Sequence, residues 1–289
     1  MAYLTVENLT HIYGVGSPQC KTAIKDVCFS LEKGDILGII GHTGSGKSTL
    51  VNHLNGLMKP TSGKIYIDGE DIWKNPKQIK NVRAKVGLVF QYPEYQLFEE
   101  TVYKDIAFGP SNLGIDGEEL DNVVREIASL MEISEDILTK SPFDLSGGQK
   151  RRVAIAGVMA MRPDVIVFDE PTAGLDPIGR QTIFKAIHDY KEKYNATVII
   201  VSHSMEDVAA FADKILVMNG GMIERFDSTV NVFSDSEKLK NIGLGAPMVA
   251  EVFDVVRKQI PDFNYFPLTV EEGYEAIMSY LNKGGKTNA

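Results

Sequence analysis

Short apolar runs recur along the chain, and each is followed by polar residues. Four of these runs hold four or five consecutive apolar or glycine residues, at 36–40, 86–90, 165–168 and 198–201. Runs of this length are typical of strands that are buried on both faces of a parallel sheet. Ligands bind beyond the carboxyl ends of such strands, so the polar residues that follow the runs are the first candidates for a functional site.

Helical periodicity replaces the strand pattern between about residues 95 and 160. Apolar positions recur there every three or four residues, at Leu120, Val123, Val124, Ile127, Leu130 and Met131. This spacing predicts a mostly helical insert between two strands of the sheet.

A second helical tract begins after about residue 235. Its first apolar stripe consists of Val249, Val252, Phe253 and Val256. Thr269 followed by Glu272 predicts a capping box that opens a further helix. The apolar face of that helix is formed by Val270, Tyr274, Ile277, Met278 and Leu281. Stripes of this kind most often pack into a local core, and we expect the same here.

Length and composition limit the classes of protein to which the chain can belong. Its 289 residues are 44% hydrophobic and 24% charged, a globular balance that excludes a disordered chain or a disulfide-stapled miniprotein. Thirty Lys and Arg residues against 39 Asp and Glu residues give a net charge of −9, which argues against a nucleic-acid partner.

The cysteines and the apolar segments favour a protein of the cytosol. Cys20 and Cys28 are interpreted as buried or idle thiols, although a disulfide stays open. The N-terminal residues show no basic stretch followed by an apolar run, as a secretory signal would. The longest uncharged apolar stretch, 153–161, is far shorter than the roughly 18–20 residues of a membrane span.

A glycine-rich loop follows the first apolar run and fits the phosphate-loop pattern G-x-x-x-x-G-K-S/T. Its residues are Gly41, His42, Thr43, Gly44, Ser45, Gly46, Lys47 and Ser48, with Thr49 as an extension. Glycines let backbone N–H groups turn toward phosphate oxygens, and the following helix adds its positive N-terminal end. We expect Lys47 to bridge the β- and γ-phosphates of ATP and the Ser48 hydroxyl to bind Mg²⁺.

Two acids follow the run at 165–168. Asp169 is expected to bind Mg²⁺, and Glu170 is expected to act as the general base that polarises the attacking water. An acid pair after a strand is often only surface, but together with the phosphate loop it indicates a nucleotide hydrolase with catalytic Glu170 and Lys47.

The run Leu145-Ser146-Gly147-Gly148-Gln149-Lys150-Arg151-Arg152 resembles the signature of the ATP-binding cassette (ABC) family. Ser146 and the glycines are typical of a helix start with free N–H groups that face an anion. The resemblance implies that residues 146–149 contact the ATP of the opposite subunit in a head-to-tail dimer. Arg151 and Arg152 either add positive potential or form a solvated basic face.

Four further residues match motifs of the ABC family, in the family's order. Tyr13 lies where an aromatic ring stacks on adenine, and Gln91 resembles the glutamine that contacts Mg²⁺ and senses the membrane partner. Asp176, within 173–177, resembles the D-loop aspartate that reaches across the dimer. His203 resembles the switch histidine that steadies the γ-phosphate and the water, and is counted with the catalytic residues.

The resemblance implies an α/β fold of the P-loop NTPase class. It comprises a mainly parallel central sheet, an antiparallel β subdomain and a helical insert. The ABC ATP-binding domain is expected over 1–235, with its helical subdomain at about 95–160. Residues 236–289 form a C-terminal helical extension, which either holds two ATPase subunits together or caps its own domain.

Residues 91–102, Q-Y-P-E-Y-Q-L-F-E-E-T-V, resemble the ATPases of energy-coupling factor transporters, and 106–110 and 151–157 continue the similarity. Residues 13–18 resemble the second type of ATPase subunit in that group. The resemblance implies a peripheral ATPase on the cytoplasmic face of the cell membrane, paired with a second ABC ATPase. A transmembrane scaffold subunit and a substrate-binding membrane component for a vitamin or a transition-metal ion complete the importer.

Leu97 and Phe98 are expected to be exposed in a groove that receives the scaffold, with local core as the alternative. A soluble ABC-type ATP switch that acts on the ribosome or DNA is the alternative function. Such switches usually carry two fused cassettes or a long coiled-coil insert, which this sequence lacks, and the net charge of −9 also argues against it. The sequence gives neither the transported solute nor the choice between homodimer and heterodimer.

Overall fold

The computed structural model describes residues 2–284 and the side chains through residue 282. Residue 1 and residues 285–289, the end of the expected extension, lie outside the described residues. The strands are β1 (Leu4–Tyr13), β2 (Lys21–Leu31), β3 (Ile36–Ile40), β4 (Ser62–Ile67), β5 (Glu70–Asp71), β6 (Val86–Val89), β7 (Val165–Asp169), β8 (Thr197–Val201), β9 (Lys214–Asn219) and β10 (Met222–Ser228). The helices are α1 (Lys47–Leu54), α2 (Ile79–Lys85), α3 (Val102–Asn112), α4 (Gly117–Leu130), α5 (Glu135–Leu138), α6 (Gly147–Met159), α7 (Pro177–Tyr194), α8 (Met205–Phe211), α9 (Thr229–Phe233), α10 (Ser236–Asn241), α11 (Met248–Gln259) and α12 (Val270–Gly284).

The central sheet has six strands in the order β10-β9-β3-β8-β7-β6. Its five strands from β9 to β6 are parallel, and β10 pairs antiparallel to β9 at the edge. The four apolar runs of the sequence are β3, β6, β7 and β8, and nearly all of their residues are buried. The expectation of a mainly parallel sheet that is covered on both faces is therefore confirmed.

A second, antiparallel sheet has the order β2-β1-β4-β5 and covers one face of the central sheet. Leu4 of β1 is the Cα partner of Leu31 in β2 and of Ile67 in β4, and all three are buried. These side chains pack with α1, through Leu50, and with the central sheet, through Ile39, in one hydrophobic core. This core fixes the phosphate loop between two sheets.

The helices α3, α4, α5 and α6 lie between β6 and β7 and form the expected helical insert. In the apolar stripe of α4, Val123, Val124 and Ile127 are buried, and Met131, just past its end, is buried too. They join the core on the other face of the central sheet. The helical periodicity of this region is confirmed.

The C-terminal helices α11 and α12 share a small core of their own, centred on Phe253, Phe263 and Ala276. The expectation that the stripe of α12 is core was wrong, because its members face outward. They are Val270, Tyr274, Ile277, Met278 and Leu281. The packed face of α12 instead contains Gly273, which lies against the ring of Phe253, together with Ala276 and Tyr280.

The start of α12 differs in one detail from the predicted capping box. Thr269 Oγ1 accepts a hydrogen bond from the Glu272 N–H at 3.2 Å, as expected. The Glu272 carboxylate, however, accepts from the N–H of Leu268 at 2.7 Å, one residue before the expected position. The first turn of α12 is therefore still capped by two side-chain hydrogen bonds.

Two further features concern the surface. Cys20 and Cys28 are free thiols, so the disulfide alternative was wrong; of the expected buried or idle thiols, the buried form was wrong as well, because both residues are exposed. Cys28 Sγ accepts a hydrogen bond from the Asn8 N–H at 3.0 Å. Within residues 2–284, every helix is too short or too polar to cross a bilayer.

Candidate active site

The carboxyl ends of four parallel strands meet along one edge of the central sheet and carry many of the predicted site residues. The loop after β3 leads into α1, and Gln91 comes two residues after β6. Asp169 ends β7, and His203 comes two residues after β8. Because β7 and β8 are neighbours and β3 pairs with β8, these residues face one space.

The loop between β3 and α1 needs glycine at its last position. Gly46 has a φ of +105° and immediately precedes the first turn of α1. A Cβ atom there would lie 2.8 Å from Ile24 Cγ2 and 2.9 Å from the Ala23 carbonyl oxygen. Glycine therefore lets the loop pass close to β2 and leaves the first N–H groups of α1 available to an anion.

Lys47 is buried at the start of α1, and its ammonium group lies inside the loop. Its Nζ donates to the carbonyl oxygens of Gly41 at 2.6 Å and His42 at 3.1 Å. Burial lowers the pKa of Lys47, and the charges of Glu170 and Asp169 oppose that change. The ammonium is thus positioned where phosphate oxygens can replace backbone carbonyls as its acceptors.

Three other predicted residues of the phosphate loop, Gly41, His42 and Ser45, lie against neighbouring atoms of the fold. Ser45 is fully buried, and its Oγ has no hydrogen-bond partner among the described residues. A Cβ atom on Gly41 would lie 2.6 Å from that oxygen. The His42 ring nitrogens lie 2.8 Å from the Thr43 carbonyl oxygen and 3.1 Å from Asn219 Oδ1.

Glu170 leaves the strand conformation directly after Asp169. It has a φ of +54°, in a region that costs a non-glycine residue about 1 kcal/mol or more. Burial and the charge of Asp169 raise the pKa of Glu170 to about 7, with Lys47 opposing. Burial also raises the pKa of Asp169, against the charges of Lys47 and His203. A carboxylate with a pKa near neutrality is suited to general-base catalysis at physiological pH.

His203 stands beside this carboxylate. Its Nε2 lies 3.5 Å from Glu170 Oε1, and that oxygen has no hydrogen-bond partner within residues 2–282. Burial and the charge of Lys47 lower the pKa of His203, against Asp169. A neutral imidazole next to an unpaired carboxylate oxygen leaves room for a water molecule to donate to the carboxylate.

Most of the predicted ATP-site residues line one cavity of about 580 Å³, a size usual for small-molecule sites. They are Tyr13, Thr43, Gly44, Gly46, Lys47, Ser48, Thr49, Gln91, Asp169, Glu170 and His203. The structure thus brings together residues that are up to 190 positions apart in the sequence, from 13 to 203.

The cavity also contains residues that sequence reasoning missed. Lys21, Thr22 and Ala23 line it from β2, and Gly220 and Gly221 line it from the turn after β9. The β1–β2 register makes Lys21 the direct Cα partner of Tyr13. A predicted hairpin around residues 14–20 would have identified Lys21, because opposed residues of a strand pair share one face.

Tyr13 lies at the open end of the cavity and is 43% exposed. Its hydroxyl is 3.3 Å from Thr49 Oγ1, and the edge of its ring meets His11, whose Nδ1 is 3.1 Å from Nε2 of the buried His53. Thr49 and His11 therefore hold the Tyr13 ring in place, and its exposed part still presents apolar surface to a ligand.

The residues predicted for Mg²⁺ supply oxygen donors of the kind that this ion prefers. Ser48 offers a hydroxyl, Gln91 an amide oxygen and Asp169 a carboxylate, and all three line the cavity. The raised pKa of Asp169 is the behaviour of a half-buried carboxylate that a cation would stabilise in its charged form. The donor set fits Mg²⁺ bound together with phosphate oxygens.

The signature residues lie outside the cavity, at the start of α6. Ser146 Oγ accepts from the Gln149 N–H at 3.3 Å, and the Gln149 side chain accepts from the Ser146 N–H at 3.0 Å, a complete capping box. Gly147 and Gly148 form the first turn, with no Cβ atoms over it. The first turn of α6 is thus held in one geometry, outside the cavity.

Asp176 also lies outside the cavity and caps the next long helix. Its carboxylate accepts a hydrogen bond from the Gly179 N–H at 2.7 Å at the start of α7. In this chain its observed role is therefore that of a helix cap.

The interpretation of Arg151 as part of a solvated basic face was wrong, because its side chain is buried. Arg151 is only 3% exposed and pairs with Glu94: its Nε and Nη2 donate to the two carboxylate oxygens at 3.0 and 2.8 Å. Its Nη1 donates to the carbonyl oxygen of Ala173. Although burial alone would raise the pKa of Glu94, these hydrogen bonds and the charge of Arg151 hold it below its ordinary value.

Leu97 and Phe98 behave differently from each other. Leu97 is buried in the core of the insert, so its expected exposure was wrong, whereas Phe98 is 58% exposed and stacks edge-on against Phe108. All three line a groove of about 390 Å³ between α2, α3 and α6, called here the insert groove. Leu97 supplies its floor, and Phe98 supplies its rim.

The fold and the site define an ABC ATPase, and sequence comparison gives the same class. Residues 24–173 match the ABC transporter family, and the chain belongs to that family. A curated relative from Caldanaerobacter subterraneus subsp. tengcongensis is 53% identical over 96% of this chain and 97% of its own length. Another, from Clostridioides difficile, is 50% identical over 98% of this chain and 99% of its own length. Both are named energy-coupling factor transporter ATP-binding protein EcfA2.

Solved structures agree with this classification. The chain is similar to cbiO1 of Clostridium perfringens, described as part of the ABC transporter complex cbiONQ, with a TM-score of 0.75 and 35% identity. The similarity covers 88% of this chain and 99% of that one. A dimeric ATP-binding cassette in a post-hydrolysis state with ADP and Pi has a TM-score of 0.70 and 30% identity, over 78% of this chain and 98% of its own.

Proposed function

We propose that this chain is the ATP-hydrolysing subunit that energises an energy-coupling factor importer. The observation that carries the proposal is the cavity in which Lys47, Asp169, Glu170 and His203 meet beyond the strand ends. The names of the full-length relatives support the transporter assignment. ATP binding itself follows from membership of the ABC family.

In the proposed reaction, Glu170 accepts a proton from a water molecule while the water oxygen attacks the γ-phosphorus of ATP. The bond between that phosphorus and the β–γ bridging oxygen breaks, which gives ADP and inorganic phosphate. Lys47 compensates the charge that develops on the phosphate oxygens, and neutral His203 orients the water and the γ-phosphate. When Mg²⁺ is bound at Ser48, Gln91 and Asp169, it neutralises further phosphate charge.

The adenine is proposed to stack on Tyr13, and the triphosphate to bind the backbone N–H groups of residues 41–49. The capped start of α6 at Ser146–Gln149 lies outside the set of residues that line this chain's own cavity, which supports a role toward the ATP of a partner. Asp176 is proposed to contribute at the same interface. The functional partner is therefore a second ABC ATPase, bound head to tail, either a paralogue or a second copy.

The proposed division of the chain has three parts. The ATP-binding domain spans 1–235, its helical subdomain lies at about 95–160, and the extension begins at 236. The outward-facing stripe of α12, with Tyr274 65% exposed, supports the extension as a dimerisation element rather than only a cap.

The proposed membrane contact is the insert groove, whose rim residues Phe98 and Phe108 are exposed aromatics. A transmembrane scaffold subunit would seat there, and a separate membrane component would bind a vitamin or a transition-metal ion. The chain would then act as a peripheral protein on the cytoplasmic face of the cell membrane.

Affinity purification of the tagged chain from native membranes, followed by mass spectrometry, tests this function. We expect a polytopic scaffold and a second cassette ATPase to co-purify, and the rim variant Phe98→Ser to lose the scaffold but keep the cassette partner. The exposed variant Phe143→Ser, outside the groove, is the matched control. Recovery only with ribosomes or DNA would overturn the transport function and favour the ATP-switch alternative.

A further inference from the structure

The Arg151 side chain connects three segments that the mechanism uses separately. It belongs to α6, five residues after Ser146, and its guanidinium forms a two-pronged ion pair with Glu94. Glu94 follows Gln91 by three residues, in the segment that leads to the insert groove. The third contact of Arg151 is the Ala173 carbonyl oxygen, in the loop that follows Glu170.

This loop leads directly to the catalytic base. The Ala173 N–H donates to the carbonyl oxygen of Glu170 at 3.3 Å. One residue, Ala173, therefore connects the guanidinium of Arg151 to the backbone of Glu170, whose strained φ of +54° depends on its surroundings. The face of Tyr92 covers the guanidinium at 5.8 Å and helps to exclude water.

The chemistry of the pair is suited to a rigid connection. Arg151 is 3% and Glu94 17% exposed, in contrast to the surface pair of Arg125 and Asp121, whose side chains are 47% and 41% exposed. A planar guanidinium binds three oxygens in fixed directions, which an ammonium group cannot do. Buried pairs of this kind contribute little net stability but define one geometry.

We propose that Arg151 and Glu94 are positioning residues. They connect the segment that contains Glu94 and leads to the insert groove, where the scaffold would bind, to both ATP sites of the dimer. Movement of the segment at Glu94 shifts α6, and thus the signature that acts on the partner's ATP. Through Ala173 it also shifts Glu170, the base of this chain's own site. This inference rests on the proposed function for its first link, the contact between segment and scaffold, but not for the link from Arg151 to Glu170.

Two conservative variants test the two links separately. Glu94→Gln keeps the shape but loses the charged pair, so the segment is released while the contact of Arg151 with Ala173 stays. Arg151→Lys keeps the charge but cannot satisfy all three acceptors, so the contact to the Glu170 loop is released as well. Arg125→Lys, which alters the surface pair on α4, is the matched control.

The experiment measures ATP turnover of each variant twice, in the isolated chain supplied with its cassette partner but no scaffold, and in the complex purified from membranes. It also measures the Kd of MgATP and the melting temperature. For Arg151→Lys we expect kcat to fall about 10- to 100-fold in both preparations, with Kd changed less than about twofold, because a misplaced base slows chemistry without removing ligand contacts. For Glu94→Gln we expect the ratio of turnover in the complex to turnover in the isolated chain to fall toward one.

Two results would overturn the proposal. The first is a kcat and a complex-to-isolated ratio within twofold of wild type in both variants. The second is a loss of kcat that is matched by an equal rise in Kd and follows the melting temperature, which is the signature of a merely structural pair. Failure of the wild-type chain to co-purify with any scaffold would instead refute the proposed function, and the kcat-against-Kd split of Arg151→Lys would still decide the link to Glu170.

Discussion

The nucleotide cavity and the C-terminal helix pair are built in opposite ways. The cavity lies at strand ends that are fixed by cores on both faces of the central sheet. Among the described side chains, the small core shared by α11, α12 and their connection contains three buried apolar residues, and α12 turns an apolar stripe outward. The first region gathers the candidate base and the phosphate-loop lysine of one chain in a fixed geometry, while the second exposes an apolar stripe that we propose a partner covers.

The comparison shows that stability and function depend on different residues of this chain. Substitutions of the cavity residues should change ATP hydrolysis and leave the fold intact, because these residues are few and polar. Substitutions in the C-terminal pair should change stability or association and leave the chemistry of a preformed dimer intact. Four predictions, ordered from the largest expected effect on ATP turnover to the smallest, can break or sharpen this comparison.

Glu170→Gln should lower kcat by about 10²- to 10⁴-fold, the usual contribution of a positioned general base. ATP should still bind, because the amide keeps the shape and removes a carboxylate that repels phosphate. Steady-state hydrolysis with saturating MgATP measures the effect. The exposed variant Glu132→Gln should hydrolyse ATP normally, and unchanged turnover of Glu170→Gln would remove this residue from the role of base.

Lys47→Ala should lower ATP affinity and hydrolysis together, by about 10²-fold in kcat/KM, because one charge-assisted donor to the phosphates is lost. The melting temperature should change little, since the hydrogen bonds that the ammonium donates to the described residues go to two backbone carbonyls. Titration with a fluorescent ATP analogue gives the affinity. Lys185→Ala, at a surface position, is the control, and an unchanged affinity would exclude Lys47 from the phosphate site.

The pH dependence of kcat/KM should report the raised pKa of Glu170, about 7 in the free protein. The base is active only when deprotonated, so activity should be half-maximal near pH 7, level off about one unit above it and fall about tenfold per unit well below it. An ordinary glutamate would lose activity only near its usual pKa of about 4.3. A profile that stays flat from pH 8 down to pH 5.5 would contradict the proposed environment of Glu170.

In the C-terminal pair, Phe253→Ala should destabilise α11 and α12 by about 3–5 kcal/mol, since its ring is buried against Phe263 and Gly273. The exposed Leu281→Ser should change stability by less than about 0.5 kcal/mol. Hydrogen exchange measures the first effect. Leu281→Ser should nevertheless weaken association with the ATPase partner, and equal association with and without the substitution would leave the stripe of α12 without a role in the dimer.

Much of this division could be predicted from the sequence. Strand ends and their polar residues are local patterns, and the phosphate loop fixes the position of Lys47 relative to one strand and one helix. The pairing of Arg151 with Glu94 could not be predicted, because it joins residues 57 positions apart. The exposure of the α12 stripe could not be predicted either, since periodicity defines a face but not what covers it.

The central claim is that the cavity of this chain becomes a complete ATP site only against the signature of a partner cassette. Sedimentation of Glu170→Gln with MgATP, alone and with the cassette ATPase that co-purifies with it, tests this directly. We predict an ATP-dependent dimer that is lost when Ser146→Arg is placed in both signatures, although each chain still binds ATP. A mass that is independent of ATP, or a dimer that is indifferent to Ser146, would contradict the account.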